Sequence, residues 1–319
     1  MLVVALTTSK DTTSPGGLQA DTTPTVEAGV TNTAIVCDTT TYLPPEILRQ
    51  LGIREVSLYV SLAGEQRAEA EIEDYDEFYD RLRASEEGVT TSQPSVGDFV
   101  ATYEPLVADG KGIVSIHLSA GISGTYEAAT QARQRLVDED RGGERIRVYD
   151  SRSSAGGMGL VAIAAARAAG AGGSPDTVLD AARAARDALL MWFAIDTLEY
   201  LRRGGRIGPA RAWLGSALKI KPILTLEEEI TPIERVRTRK RAHERLLEYM
   251  RERHAVGADA WVVQHVQDPE TADRLVEECR GIFGSDPVFV SEVGPVIGAH
   301  TGPGLIGVGS VPRSVLEAA

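Results

Sequence analysis

The sequence predicts an α/β protein in two parts: a three-layer N-terminal domain on a parallel sheet, then an α+β domain with a mixed sheet. Three observations carry this. From Ala34 onward, short apolar β-type runs alternate with segments of helical period, the order of a parallel sheet layered by helices. Gly170-Ala-Gly-Gly-Ser174 then breaks the pattern. Beyond it, Ile220 to Leu226 and Ile230 to Val236 flank Glu227-Glu-Glu229 as a hairpin, which requires antiparallel pairing. The expected divisions are a leader over 1–31, the α/β domain over 32–172 and the α+β domain over 173–319.

Residues 1–31 are rich in Thr, Gly, Pro and Asp without periodicity, the composition of a disordered leader. Ala34-Ile-Val-Cys37 reads as the first strand, ending in Asp38-Thr-Thr-Thr41. Pro44 and Pro45 open a helix that Gly52 closes. Ile53 to Leu62 is one β-like run, and Asp74 with Glu77 opens a helix through Phe78 and Leu82. Thr90-Thr-Ser-Gln-Pro-Ser95 reads as a polar loop. Ser95 with Asp98 starts a helix that Pro105 is expected to bend or end. Ile113 to Leu118 is a buried parallel strand, and Ser119-Ala-Gly-Ile-Ser123-Gly124-Thr125 opens a helix carrying Tyr126, Ala129, Ala132 and Leu136. Ile146 to Tyr149 is a further strand, with an alanine-rich helix from about Leu160. In the second half, Trp192 to Ile195 and Trp261 to Val266 read as strands. Leu198 to Arg203, Lys240 to His254 and Pro269 to Phe283 read as helices, and Val288 to Val296 as extended.

The chain has 319 residues, 43% hydrophobic and 25% charged, an ordinary globular composition. No apolar run reaches bilayer length, and residues 2–6 are too short for a signal core, so a cytoplasmic protein without stable membrane insertion is expected. Cys37 and Cys279 are the only cysteines, which argues against a disulfide framework or a zinc site. A net charge of −13 argues against nucleic acid as a partner. The charge is uneven: Arg202 to Arg245 holds 12 basic and 5 acidic residues, while the remainder is acidic. That stretch suits either a local anionic ligand or a solvated helix face.

Gly157-Met-Gly159-Leu-Val-Ala162 and Gly302-Pro-Gly304-Leu-Ile-Gly307 superficially match a dinucleotide fingerprint. The first lacks a place for the acidic residue, and the second leaves no room for the unit. Ser123 and Thr125 sit where a strand ends and a helix begins, a place for an anion or simply for a helix cap. Arg206, just past a helix stop, can fork onto a carboxylate or phosphate, or merely favour the helix dipole. His300 before Gly302-Pro-Gly304 is either a surface histidine beside a turn or a positioned imidazole.

Taken in order, Val-Cys-Asp38-Thr, Thr91-Ser-Gln-Pro-Ser95, Leu118-Ser-x3-Ser123-Gly-Thr, Tyr149-Asp-Ser151, Asp196-Thr-Leu-Glu-Tyr-Leu-x2-Gly-Gly-Arg206-Ile, Lys221-Pro-Ile-Leu, Arg237-x4-Ala242 and His300-Thr-Gly-Pro-Gly304 resemble the DegV family of bacterial fatty-acid-binding proteins. The resemblance implies one long-chain fatty acid enclosed where two domains meet. Its carboxylate would be held by Thr91 with Ser92 adjacent, by Ser123 with Gly124 and Thr125, and by Arg206 and His300. Ser119 is a second hydroxyl candidate in the same loop. Some members carry lipid for a separate ATP-dependent kinase that makes acyl phosphate for phospholipid synthesis, so Arg237 and Arg239 are candidate partner or phosphate contacts. No cofactor beyond the bound fatty acid and no metal are expected, and catalysis would lie in the partner. The alternatives are an acyl hydrolase or transferase using Ser123 with His300, and a lipid sensor without a kinase.

Overall fold

A computed structural model describes residues 32–62, 64–84, 89–215 and 220–317; the expected leader over 1–31 lies outside them. Strands β1 (Thr33–Asp38) and β2 (Arg54–Val56) flank helix α1 (Pro45–Leu51) in sequence. Strands β3 (Tyr59–Leu62) and β4 (Glu65–Ala68), helix α2 (Tyr75–Ala84) and strand β5 (Val89–Ser92) follow. Next come α3 (Val96–Ala108), β6 (Gly112–His117), α4 (Thr125–Asp138), β7 (Ile146–Asp150), α5 (Ala155–Gly170) and α6 (Pro175–Ala188). The first sheet has the order β2-β1-β6-β7, all parallel, with Ile35 opposite Val114 and Ile116 opposite Tyr149.

Every residue of β1 and β6 is buried, which is why both read as unbroken apolar runs. α3 and α4 cover one face, where Phe99, Tyr103, Ala129 and Leu136 pack on Val36, Ile113 and Ile146. Ser95 and Asp98 form a reciprocal capping box at the start of α3. Of the two outcomes expected at Pro105, an end to the helix does not occur, since α3 runs on to Ala108. Burial of Phe99, Val100, Tyr103 and Leu106 offsets the roughly 3 kcal/mol that an interior proline costs.

α5 covers the other face and begins at Ala155, five residues before the expected start. It lies between the first sheet and the second, against β1 and β6 on one side and two strands of the other sheet on the other. All its residues except Arg167 and Gly170 are buried, so it is apolar all round rather than striped. Its glycines serve close packing. A Cβ at Gly156 would lie 2.7 Å from Gln264 Oε1, one at Gly157 2.8 Å from Met191 Sδ, and one at Gly159 2.9 Å from Phe289 Cζ. The Gly157-Met-Gly159 pattern is therefore a packing device. α6 follows the Gly170–Ser174 turn and packs back on α5, β6 and β7.

The second sheet uses β8 (Leu190–Ala194), β9 (Lys221–Leu226), β10 (Ile230–Val236), β11 (Ala260–His265), β12 (Phe289–Glu292) and β13 (Ile306–Val311). Its order is β10-β9-β8-β13-β11-β12, antiparallel except for β11 with β12. Helices α7 (Glu199–Arg203), α8 (Arg239–Ala255), α9 (Pro269–Phe283), α10 (Pro295–Thr301) and α11 (Arg313–Glu317) complete it, with α8 and α9 on the face away from α5. β13 pairs on both sides yet escaped the sequence reading, because Gly307 and Gly309 dilute its β signal.

A third sheet, β4-β3-β5, is antiparallel and pairs Val60 with Thr91. The expected single run from Ile53 to Leu62 thus divides between two sheets. Thr90 to Ser92, expected as loop, forms most of β5, and its hydroxyl-rich edge carries no alternation to read. This flap and α2 both sit on α10, and Tyr79 Oη of α2 donates to the carbonyls of Val293 at 2.8 Å and Gly294 at 3.0 Å, just before α10.

Candidate functional site

Two loops and one short helix meet at the junction of the three sheets. The loop after β6 reaches α4, whose N-cap is Gly124, with no side-chain capping bond. Neither Ser123 nor Thr125 caps by side chain. Ser123 Oγ lies 2.9 Å from Thr125 Oγ1 and accepts from the Thr125 N–H at 3.3 Å. Ser119 is committed elsewhere, donating to the Glu228 carbonyl at 2.6 Å. The acidic turn between β9 and β10 seats its backbone on this loop, and Gly121 leaves the room for it.

Thr91, on β5, meets His300, on the last turn of α10: Thr91 Oγ1 lies 2.8 Å from His300 Nε2. His300 is thus helical rather than in a turn. Its Nδ1, close above Gly204, is buried with no hydrogen-bond partner among the described residues. Burial, with the Arg206 charge second, pushes the imidazole down to about 4. The ring is therefore neutral near pH 7. A proton on Nδ1 would be a buried N–H with no acceptor, so it resides on Nε2 and is donated to Thr91. The Thr91 hydroxyl hydrogen is then free for another acceptor. Arg206 is held by two carbonyls, Nε to Ile122 at 3.2 Å and Nη1 to Gly204 at 2.7 Å. Ser92 lines the same space, but its Oγ accepts from Gln66 Nε2 at 3.1 Å. Gln93, given no role from sequence, lies over Gly124 and links the two loops; its place in the Thr-Ser-Gln-Pro run was the available signal.

α10 is anchored at its other end by Glu69. This buried carboxylate accepts from the Val296 N–H at 2.8 Å, Tyr42 Oη at 2.9 Å and Thr39 Oγ1 at 2.5 Å. Burial raises it to about 7 against the opposing pull of those bonds. Sequence inspection missed this anchor because its partners are scattered along the chain.

Thr91, Ser92, Ser123, Arg206 and His300 all border one pocket enclosing about 860 Å³ counting its open mouth. Away from these groups its walls are mainly aliphatic and aromatic, including Leu118, Phe193, Leu201, Leu226, Ile230 and Val296. A small polar mouth on an apolar hollow is the usual form of a ligand site. Outside the mouth lies an open polar depression lined by Gly121, Ser123, Gly124, Arg206, Arg211 and Glu229.

Arg237 and Arg239 lie elsewhere. Arg239 joins Asp196 and Asp268 (Nε to Asp196 Oδ1 2.9 Å, Nη1 to Asp268 Oδ2 3.2 Å), and Lys221 Nζ meets Asp196 at 2.8 Å. Burial opposes ionisation of Asp196, yet the bonds from Arg239 and Lys221 hold its carboxyl below the ordinary range. Arg237 is exposed. Nor are Ser123 and His300 joined as nucleophile and base, since His300 Nε2 bonds Thr91 and no acid orients its Nδ1. A Ser-His-Asp chain does exist in the core: His117 Nδ1 meets Asp38 at 3.1 Å and its Nε2 meets Ser115 Oγ at 2.7 Å, all three fully buried. Among the described residues no His, Cys, Asp and Glu cluster could hold a metal, and no helix is long and apolar enough to cross a membrane.

Comparison with known proteins agrees with this architecture. A DegV domain-containing protein of Streptomyces coelicolor is 43% identical over 280 residues, covering 86% of this chain and 96% of that protein. The crystal structure of DegV of Bacillus subtilis, a fatty acid binding protein, superposes with a TM-score of 0.80 at 35% identity, covering 88% of this chain and 99% of the other. A DegV family protein of Thermus thermophilus, also solved for its fatty acid binding, gives 0.78 at 32% identity over 88% and 99%. The sequence description of an uncharacterised protein family, DegV, matches residues 32–313, and the chain belongs to the DegV family.

Proposed function

We propose that this protein binds one long-chain fatty acid, tail in the apolar pocket and carboxylate at the mouth among Thr91, Ser123, Arg206 and His300. The observation that carries the reading is the convergence of these groups at one end of an otherwise apolar hollow. Burying a chain of about sixteen carbons at ~0.8 kcal/mol per methylene is worth roughly 12 kcal/mol, of which association takes back at least ~4. The tail supplies affinity. Hydrogen bonds to the charged head, at ~1.5–3 kcal/mol each, decide which end faces out.

The carboxylate would then face the depression that Arg206 and Arg211 border, where a phosphoryl group could arrive. The chain carries no Gly-x4-Gly-Lys-Ser/Thr loop, so ATP chemistry is assigned to a separate kinase subunit and this chain is the lipid carrier. The exposed Arg237, in the basic 202–245 stretch, is the candidate contact for an acidic kinase face; Arg239 is already tied to two aspartates. Mass spectrometry of the native protein from its own host tests the binding reading by showing a bound fatty acid. Comparing a fatty acid with its methyl ester tests the orientation. Ser123→Ala should weaken the acid far more than the ester, and equal losses would overturn the headgroup assignment.

A further inference from the structure

Beyond its mouth the pocket wall is apolar with three exceptions: Thr301, Ser154 and Gln264. Thr301 is accounted for, since its hydroxyl donates to the Ile297 carbonyl at 3.0 Å. The other two form a unit at the start of α5. Ser154 is the N-cap residue and is 6% exposed, yet its side chain makes no capping bond. The reason is visible. The N–H it would ordinarily cap, that of Gly156 two positions on, is bonded by Gln264 Oε1. Gln264, 3% exposed, is fixed in turn by donating Nε2 to Ser291 Oγ at 2.8 Å. Gly156 permits the approach, because a Cβ there would meet the Gln264 carbonyl oxygen. Ala155 between them takes a left-handed φ of 51°, unusual for a residue with a side chain. A strained turn and a borrowed cap thus leave Ser154 on the pocket wall with no side-chain hydrogen bond among the described residues.

We propose that Ser154, backed by Gln264, is a second polar station that receives an oxygen on the alkyl chain, and that the pocket takes a long-chain fatty acid carrying a hydroxyl group. This rests on the fatty-acid reading above and adds the class of acid. A plain chain would leave the Ser154 hydroxyl shielded from water and unbonded, which is unfavourable, whereas a chain hydroxyl can either donate to it or accept from it. The N-terminus of α5, whose first backbone N–H groups other than that of Gly156 have no partner inside the helix, favours an oxygen at the same place.

The test uses the full chain stripped of lipid, octadecanoic acid, and a set of its monohydroxy isomers with the hydroxyl moved along the chain. At least one isomer should bind the wild type as tightly as octadecanoic acid or better. Relative to octadecanoic acid, that isomer should lose about tenfold in Ser154→Ala and keep its standing in Ser154→Thr, the loss expected for one buried hydrogen bond. The proposal is overturned if every isomer binds the wild type more weakly than the parent acid, as a tightly held water at Ser154 would produce. It is equally overturned if the preferred isomer is unaffected by Ser154→Ala. Failure to bind octadecanoic acid and all its isomers would bring down the fatty-acid reading itself.

Discussion

The molecule holds two histidines, each beside a hydroxyl, with opposite fates. His117 sits at the end of β6 with both ring nitrogens engaged, by Asp38 at 3.1 Å and Ser115 at 2.7 Å. The chain closes on itself: Tyr103 Oη donates to Ser115 Oγ at 2.7 Å, and Asp38 also accepts from the Leu118 N–H at 3.0 Å and the Thr40 N–H at 3.1 Å. His300 engages one nitrogen with Thr91 and leaves the other without a partner, at the edge of a cavity. The site with the catalytic-looking residue set is the sealed one. Residue type alone does not mark a functional group. A hydroxyl hydrogen left free beside an open pocket, as at Thr91, does.

The largest test of this contrast is Asp38→Ala. It leaves His117, Leu118 and Thr40 without their acceptor in the core and should cost about 3–5 kcal/mol in denaturant unfolding. Lipid bound per folded molecule should stay constant; a selective loss of binding would make the sealed network functional. Next in size is a pH effect. The folded His300 sits near 4, below the 6.5 of a free imidazole, so the unfolded chain takes up the extra proton. The stability it supports is present above about 6.5 and is lost as pH falls towards 4, by at most about 3 kcal/mol. His300→Gln should flatten that acid limb. Glu69, raised to about 7 from 4.5, runs the other way: its contribution is complete below 4.5 and fades as pH rises through 7, so Glu69→Gln should flatten the alkaline limb.

Smaller, but closer to function, is Thr91→Val. With the hydroxyl gone, preference for a fatty acid over its methyl ester should fall roughly ten- to hundredfold, from the loss of one bond to a charged group at ~1.5–3 kcal/mol. Losing the acceptor of the His300 Nε2–H should also cost about 1–3 kcal/mol in unfolding. The smallest effect is expected of Arg239→Ala. Arg239 itself is largely exposed and Lys221 stays on Asp196, so a loss of about 0.5–1 kcal/mol in stability and none in lipid affinity is expected. A large loss of lipid affinity would move Arg239 back to the site.

The parts of this architecture that were legible share a physical feature: they bury strong, continuous signals. The run from Ile113 to Leu118 with its helix-opening loop reads correctly because both faces of β6 are covered. The hairpin and α9 read correctly for similar reasons, one by its acidic turn and one by Pro269 and Phe283 at its ends. What escaped was built from small or polar residues whose role depends on distant partners. β13 contains two glycines, β5 is mostly hydroxyls, and α10 is a seven-residue helix that begins with a proline. Ordered motifs located Thr91, Ser123, Arg206 and His300. They could not reveal that His300 is neutral or that Gln264 had taken over the cap of α5, because both follow from neighbours more than ninety positions away.

One consequence follows from α5, whose flanks belong to two sheets at once. A single apolar cluster runs from Ile35 on β1 through α5 to Val311 on β13, so the halves of the chain share their interior instead of meeting across a seam. Severing the backbone after Gly170 would leave one piece with an uncovered sheet and the other with a greasy rod that cannot dissolve alone. Heating should accordingly melt the protein in one step. Any gap that admits a ligand would have to come from small coverings such as β3–β5 or the tip of the β9–β10 ribbon, not from prising the two large sheets apart.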